Sequence, residues 1–194
     1  MKKRETMLKP VIAKITEKYE VTPWAHLLWL EAPTIAAPAK PGQFVMVDCG
    51  EETFLHRPFS IHRVDGDKLA LLFNVVGKGT AWLAERKPGD QVDIFGPLGN
   101  GFTLPPKKAK ILLVAGGIGI APLRFLADVA KKQGCSIKLL VGGQTASQIY
   151  PCDFLSNGDV IYTTEDATLG IPGRVTVVVP DYFDWADQVF ACGP

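Results

Sequence analysis

The chain has 194 residues, of which 47% are hydrophobic and 21% are charged, a composition typical of a soluble globular protein with one large or two small domains. Its formal net charge of +1 argues against the strongly basic surface that nucleic-acid binding needs, and it gives no electrostatic reason to bind an anionic membrane. No apolar run approaches the roughly 20 residues of a membrane span, and the basic residues 1–6 lack the apolar core of a signal peptide, so we expect a cytoplasmic protein.

The first 104 residues consist of short apolar runs separated by turns rich in glycine, proline and aspartate. This pattern predicts six strands in a small antiparallel barrel. The predicted strands are 11–19, 26–31, 44–49, 58–64, 68–75 and 91–95. Residues 69–73 of the fifth run are all apolar, which indicates a strand that is buried on both faces or packed against a second layer. A short helix is expected at 80–85, with Thr80 as its N-cap.

Beyond residue 110 the pattern alternates between strands and helices, which is typical of a parallel, doubly wound sheet. A helix is predicted at 120–132, a short helix near 146–150, and strands at 111–115, 137–141, 160–163 and 188–192. The segment 175–179 has the composition of a strand, although its place after a glycine-rich turn also permits a helix start. Residues 105–108 contain two prolines and two lysines and look like a linker. We therefore expect a barrel domain at 1–104 and an α/β domain at 105–194.

The turn after the strand 111–115 has the composition of a phosphate-binding turn. Gly116, Gly117 and Gly119 would let backbone N–H groups approach a pyrophosphate, and the helix that follows supplies partial positive charge at its start. Such a turn on its own is a weak signal. It gains weight because the barrel half carries a second set of phosphate- and ring-binding signals.

The first of these signals is the strand that begins at Arg57. The arginine suits a phosphate, the Ser60 hydroxyl suits a ring nitrogen, and the flat ring of Phe59 suits an aromatic ligand. The alternative is an ordinary edge strand with a surface arginine.

Two further segments of the barrel half are rich in glycine. A run between a strand and a helix combines two glycines with a cation and a threonine, which suits a phosphate nest; the alternative is a tight turn with a solvated lysine. That run is Gly77, Lys78, Gly79 and Thr80. Residues 95–102 contain too much glycine for a strand, so this segment either closes over a ligand or turns the chain.

The cysteines and histidines form no metal-binding pattern. The cysteines are far apart and no C-x-x-C pair occurs, so we expect reduced thiols. They are Cys49, Cys135, Cys152 and Cys192. We interpret the histidines His26, His56 and His62 as structural, and we predict no metal site.

Taken together, the motifs resemble those of the ferredoxin–NADP reductase superfamily. That superfamily has an R-x-[YF]-S flavin motif, a G-x-G-[ST] phosphate motif, a G-G-x-G-x-x-P nicotinamide-nucleotide motif and a C-G-P near the C-terminus. The chain carries all four in order, at 57–60, 77–80, 116–122 and 192–194. Within the superfamily, the phrases RPFSI, VGKGT, GPLGNGF and TEDA are most similar to the electron-transfer (iron–sulfur flavoprotein) subunits of NAD-dependent dihydroorotate dehydrogenases.

The resemblance implies a two-domain β + α/β fold, with an antiparallel six-stranded flavin-binding barrel followed by a parallel, Rossmann-like nucleotide-binding domain that would bind NAD. It also implies site residues. The flavin, as FAD, would be bound by Arg57, Pro58, Phe59, Ser60, Gly77, Lys78, Gly79 and Thr80. NADH would be bound by Gly116, Gly117, Gly119, Pro122, Glu165, Asp166, Cys192 and Gly193. Ser60 near flavin N5 and Cys192 beside the nicotinamide are the candidate catalytic residues; a small buried side chain at a strand end is the alternative interpretation of Cys192.

The implied reaction is hydride transfer between a nicotinamide and a flavin, for which the protein stacks the two rings, excludes water and needs no general acid or base. The flavin would then pass electrons singly to an iron–sulfur cluster or another carrier. Residues 142–145 contain no Lys or Arg, and Glu165 and Asp166 would place negative charge near the adenosine ribose. Both features favour NADH over NADPH.

The chain departs from the family at its C-terminus. Dihydroorotate subunits end in a cysteine-rich segment that ligates a 2Fe-2S cluster, whereas this chain ends at Pro194 and its other cysteines lack the required spacing. We therefore expect an incomplete chain that does not hold the cluster by that route.

The partner that the resemblance implies is the catalytic subunit of dihydroorotate dehydrogenase in pyrimidine biosynthesis. One alternative is a stand-alone NAD(P)H:ferredoxin-type reductase or the reductase subunit of a sulfide dehydrogenase, transhydrogenase or hydrogenase complex. The other is a non-catalytic flavin- or nucleotide-binding module.

Overall fold

In the computed structural model, which describes residues 9–50, 53–104 and 106–194, the first half of the chain forms a closed six-stranded antiparallel barrel. Its strands are β1 (Val11–Thr22), β2 (Ala25–Glu31), β3 (Phe44–Val47), β4 (Arg57–Asp65), β5 (Lys68–Asn74) and β6 (Gln91–Leu98). The order around the barrel is β1-β2-β5-β4-β3-β6, and pairing of β1 with β6 closes it. The predicted barrel is confirmed. Two short helices, α1 (Pro33–Ala36) and α2 (Lys78–Glu85), connect its strands.

The strand β5 is buried on both faces, as its unbroken apolar run predicts. Leu69, Leu71 and Phe73 point into the barrel core, and Leu72 on the opposite face packs with the core of the second half. Residues 69–73 of β5 are all apolar, and since side chains alternate along a strand, this stretch needs an apolar layer on each side. Conversely, Phe125 of the second half packs in the barrel core. The two halves therefore share buried side chains.

The second half is a five-stranded parallel sheet with strand order β10-β9-β8-β7-β11. The strands are β7 (Lys110–Gly116), β8 (Ser136–Gly143), β9 (Val160–Thr164), the two-residue β10 (Ile171–Pro172) and β11 (Gln188–Cys192). The helix α3 (Ile120–Lys132) packs between the sheet and the barrel strand β4. Short 3-10 helices at Val175–Val177 and Val179–Tyr182 cover the other face, so the segment 175–179 is helical rather than extended. The predicted parallel sheet is confirmed.

Several local predictions differ from the structure. The helix α2 begins at Lys78 with Gly77 as N-cap, so Thr80 is not the N-cap: it lies in the first turn, where its hydroxyl accepts hydrogen bonds from the N–H groups of Val76 and Gly77. The expectation that 95–102 is too glycine-rich for a strand is wrong for its first residues, because β6 continues to Leu98. The short helix near 146–150 is a 3-10 helix at Ala146–Gln148. The helix α1 and the strand β10 were not predicted.

The junction between the halves lies between Leu98 and Lys110, the end of β6 and the start of β7. Pro105 of the predicted linker and the basic residues 1–6 lie outside the described residues. None of the helices in the described ranges is long and apolar enough to cross a lipid bilayer.

Candidate functional site

A cavity of about 990 Å³ lies between the barrel and the parallel sheet. Its volume is at the upper end of the roughly 300–1,000 Å³ typical of small-molecule sites, so it suits a large or composite ligand. Both halves contribute wall residues, and the carboxyl ends of the parallel strands face it, which is where open α/β sheets bind ligands. Of the residues predicted from sequence, those that line the cavity are Pro58, Phe59, Ser60, Thr80, Gly116, Gly117, Gly119, Pro122, Glu165, Cys192 and Gly193.

The barrel wall of the cavity is built by β4. Because side chains alternate along the strand, Phe59 points into the barrel core while Ser60 faces outward. Phe59 is only 6% exposed, and its ring packs edge-on against Phe73 at 5.4 Å between centroids. Ser60 therefore lines the cavity, whereas the ring of Phe59 is engaged in the barrel core and offers no free face for stacking.

A positively charged corner lies beside this wall. The Arg57 side chain runs along the start of α2: a Cβ added to Gly79 would come within 3.3 Å of Arg57 Cγ and Nε. At Gly77 the same addition meets no atom within 4 Å. The first-turn amides of a helix have no acceptor inside the helix, so α2 and Arg57 together form a fitting site for an anion.

Thr80 shapes this corner rather than presenting its hydroxyl to it. Its Oγ1 accepts from the N–H groups of Val76 (2.9 Å) and Gly77 (3.1 Å) and donates to the Gly77 carbonyl (3.0 Å). These three bonds fix the turn before α2. Arg57, Gly77, Lys78 and Gly79 lie outside the cavity wall, and Thr80 joins this corner to it.

The opposite wall is the turn between β7 and α3. Gly117 adopts a left-handed conformation (φ +51°), which favours glycine, and the space where a side chain would stand is open. Gly193 packs closely on this turn, since a Cβ there would lie 3.0 Å from the Cα and N of Gly116. Pro122 lies in the first turn of α3, where the missing N–H leaves no helical bond unmade. The open side of the turn thus presents backbone and the positive end of α3.

Cys192 ends β11 and lies level with Ala115 of β7. It is half-buried, and burial raises the pKa of its thiol above the ordinary value. The thiol therefore stays protonated near neutral pH and contributes a small neutral group to the cavity.

The far end of the cavity carries a charge pair that sequence reasoning missed. Glu165 Oε1 lies 3.6 Å from Arg174 Nε, and both residues line the cavity next to Gln144. Residues 142–145 contain no Lys or Arg, but this end of the cavity still has a cation, because Arg174 reaches it from a loop later in the chain. Asp166 does not line the cavity. Its carboxylate accepts from the N–H and hydroxyl of Thr168, and these bonds lower its pKa.

Other wall residues were also missed. Trp24 is 58% exposed at the β1–β2 turn and lines the cavity together with Val76, Asn74 and Tyr150. The only sequence signal among them is a tryptophan in the predicted turn between the first two strands. In the described part of the chain, no group of three or more His, Cys, Asp or Glu side chains is placed to hold a metal ion.

The chain is similar in sequence to curated proteins named dihydroorotate dehydrogenase B (NAD(+)), electron transfer subunit. It is 43% identical to the one from Desulforamulus reducens over 197 aligned residues, which cover 97% of this chain and 75% of that protein. It is 42% identical to the one from Caldanaerobacter subterraneus subsp. tengcongensis, over 79% of this chain and 61% of that protein. No family model matches the chain.

The fold is also similar to solved structures. One is that of an NADH-dependent reduced ferredoxin-NADP oxidoreductase, with a TM-score of 0.83 and 28% identity over 95% of this chain and 68% of that one. The superposition with that structure includes both the barrel and the parallel sheet of this chain.

Proposed function

Since the chain belongs to the family of dihydroorotate dehydrogenase B electron transfer subunits, we propose that it is an FAD-dependent NADH oxidoreductase subunit. It would transfer electrons between NAD(H) and a partner protein, the catalytic subunit of dihydroorotate dehydrogenase in pyrimidine biosynthesis. The observation that carries this proposal is the cavity between the two halves. Its barrel wall carries Ser60 beside an anion corner, and its sheet wall carries a glycine turn beside Cys192.

The barrel side fits FAD. The corner formed by Arg57 and the first turn of α2 suits a pyrophosphate, with Gly77 and Gly79 allowing close approach and Lys78 adding a cation. Ser60 would offer its hydroxyl to the flavin ring. Pro58 and Phe59 support that edge of the cavity, Phe59 through the barrel core.

The sheet side fits NADH. Gly116, Gly117 and Gly119 would bring backbone amides and the start of α3 to the dinucleotide pyrophosphate. Cys192 and Gly193 would then lie beside the nicotinamide. Glu165 would lie at the adenosine end, where it neutralises Arg174 and disfavours a ribose 2′-phosphate. We assign Asp166 to the turn that it caps rather than to the cofactor.

Bound FAD would supply the chemistry that links a two-electron donor to one-electron carriers. The chain itself would bind the two cofactors from opposite walls, hold their rings face to face and exclude water from between them. No side chain is required as a general acid or base. The neutral thiol of Cys192 suits a position next to an uncharged ring.

The partner and the setting extend this proposal. Electrons would leave through a 2Fe-2S cluster or another carrier outside the described residues, toward the catalytic subunit. We propose a cytoplasmic location, with a flavin domain at 1–104 and an NAD domain at 105–194. A ferredoxin-type acceptor is the second candidate partner, supported by the 28% identity to a ferredoxin-NADP oxidoreductase structure.

An anaerobic titration of the FAD-reconstituted chain with NADH tests the proposal. We expect the visible flavin bands to bleach near one equivalent of NADH, because both sites open into the same cavity. Flavin that binds but resists NADH would contradict the assignment of the glycine turn, and failure to bind FAD would contradict the whole proposal. Co-purification with the catalytic subunit, compared with turnover using ferredoxin, distinguishes the two partners.

A further inference from the structure

His62 lies at the boundary between the two halves: its backbone belongs to the barrel, and its side chain bonds to the second half at two points. It is on β4, two residues after Ser60, and is fully buried. Its Nδ1 lies 2.9 Å from the carbonyl oxygen of Ala121 in the first turn of α3. Its Nε2 lies 3.0 Å from the hydroxyl of Tyr150, which lines the cavity. One side chain of the barrel wall is thus bonded to the helix behind the glycine turn and to the opposite wall.

A β-bulge directs this side chain. The register of β4 against β5 shifts between Ile61 and Arg63, so His62 is the extra residue. Ile61 before the bulge and Val64 after it both pack on the barrel core. His62 and Arg63 therefore point outward together toward α3, where Arg63 Nε donates to Asp128 Oδ2 at 3.1 Å. Bulges commonly redirect a side chain in this way beside functional sites.

The partners of His62 define its tautomer. The Ala121 carbonyl only accepts hydrogen bonds, so Nδ1 carries the hydrogen, and Nε2 must accept the hydroxyl proton of Tyr150. Both ring nitrogens are then satisfied in the neutral form. Tyr150 commits its only proton to His62, which fixes the direction of its hydroxyl at the cavity wall.

The surroundings keep the imidazole neutral. Burial lowers the pKa of His62 to about 4. The guanidinium groups of Arg124 and Arg63 act in the same direction, while the Ala121 carbonyl and the Asp128 carboxylate oppose them. His62 is therefore a fixed neutral connector at the boundary, which suits a geometric role better than proton transfer.

We propose that His62 is a positioning residue that sets the spacing between the barrel wall and the glycine turn, and hence between the two bound rings. The inference rests on the proposed function. The connection is short: β4 carries both Ser60 and His62, and Ala121 follows Gly119 by two residues. Gly119 in turn contacts the backbone of Cys192. Because a displacement of about 1 Å can cost up to about 100-fold in rate, a loose boundary would slow electron transfer without removing either binding site.

The variants His62→Phe and Tyr150→Phe test this role, with Asp128→Asn as the matched control. The first removes both bonds, and the second removes one hydroxyl. The control removes the negative charge that receives Arg63 Nε and Arg124 Nε at the same boundary, two turns further along α3, and leaves one acceptor oxygen in its place. We expect the rate of flavin reduction to fall about tenfold in both test variants, while the Kd for NADH changes less than about threefold. The control should keep the wild-type rate.

A second readout needs no cofactor. In the flavin-free chain, nitrogen-15 spectra should show His62 as the Nδ1–H tautomer, and Tyr150→Phe should shift its Nε2 resonance. Hydrogen exchange at the first turn of α3 should become about tenfold faster in both test variants but not in Asp128→Asn. Wild-type reduction rates in the test variants, or an equal loss in the control, would overturn the inference. A wild-type chain whose bound flavin resists NADH would overturn the proposed function, and the ring-spacing inference with it.

Discussion

Gly119 and Cys192 are in direct backbone contact where β7 and β11 end side by side. A Cβ on Gly119 would overlap the carbonyl group of Cys192 and lie 2.8 Å from the amide nitrogen of Gly193. Because the obstructing atoms are backbone, a side chain fits only if one of the two segments moves. The glycine is therefore required by packing inside the protein, whatever ligand the turn binds.

The variant Gly119→Ala should lose stability and NADH affinity together. Overpacking of this kind costs about 1–3 kcal/mol, and the shifted segments are the proposed nicotinamide and pyrophosphate sites. Denaturant unfolding and an NADH titration measure the two effects. Gly158→Ala is the control, because a Cβ there meets no atom within 4 Å and should change stability by less than about 0.5 kcal/mol. A fully stable Gly119→Ala protein would contradict the contact.

Replacement of Arg57 by Ala should weaken FAD binding by about 10- to 100-fold, since a charge-assisted hydrogen bond to phosphate contributes about 1.5–3 kcal/mol. Arg57→Lys keeps the charge without the forked donor geometry and should fall in between. Fluorescence titration with FAD gives the Kd. Arg174→Ala removes a cation at the other end of the cavity and should bind FAD normally. Unchanged affinity in Arg57→Ala would exclude the corner beside α2 as the pyrophosphate site.

The barrel and the sheet could be predicted because their signals are local. The apolar run at 69–73 predicts two apolar layers, and in the structure Leu71 packs in the barrel core while Leu72 packs in the core of the sheet domain. The alternation from residue 111 onward likewise gave the parallel sheet. These patterns depend only on which face of each element is apolar.

The composition of the site could not be predicted to the same depth. Arg174 reaches Glu165 from a loop after β10, and the meeting of loops beyond parallel strands depends on strand order, which local pattern does not reveal. Asp166 and Thr80 were assigned to ligands by motif, yet their side chains bond to their own turns. Asp and Thr satisfy nearby backbone groups readily, so their presence in a motif does not establish contact with a ligand.

Glu165→Gln should shift the preference of the chain toward NADPH. The side chains of Glu165 and Arg174 are 48% and 79% exposed, so loss of this ion pair should hardly affect stability. The substitution leaves the Arg174 guanidinium free to bind a 2′-phosphate. We expect the ratio of kcat/KM for NADPH to kcat/KM for NADH to rise roughly tenfold. In the double variant Glu165→Gln/Arg174→Gln, this ratio should fall back to the wild-type value. Asp166→Asn alters a neighbouring carboxylate outside the cavity and should leave the ratio unchanged. An unchanged NADPH-to-NADH ratio in Glu165→Gln would mean that the adenosine ribose does not bind next to Glu165.

Cys192→Ala should slow flavin reduction by NADH about tenfold while FAD affinity stays near the wild-type value, because the side chain belongs to the sheet wall, away from the Arg57 corner. Stopped-flow absorbance measures the rate. Burial raises the pKa of the thiol, so alkylation of Cys192 should be slow at neutral pH, accelerate only in alkaline solution, and be further slowed by NAD. Rapid alkylation at pH 7 that NAD does not affect would contradict this placement.

The stability of the chain should depend on the protonation of His62 in acid. Its pKa falls from about 6.5 when unfolded to about 4 in the fold, so between these values the unfolded chain binds more protons. Stability from this group is complete above about pH 6.5 and is lost as the pH falls toward 4, by at most about 3 kcal/mol. His62→Phe should therefore show a shallower decline of unfolding free energy across this window than the wild type. His56→Gln alters an exposed histidine and serves as the control. Equal slopes in His62→Phe and wild type would mean that His62 titrates normally, and thus that it is not held as a buried neutral connector.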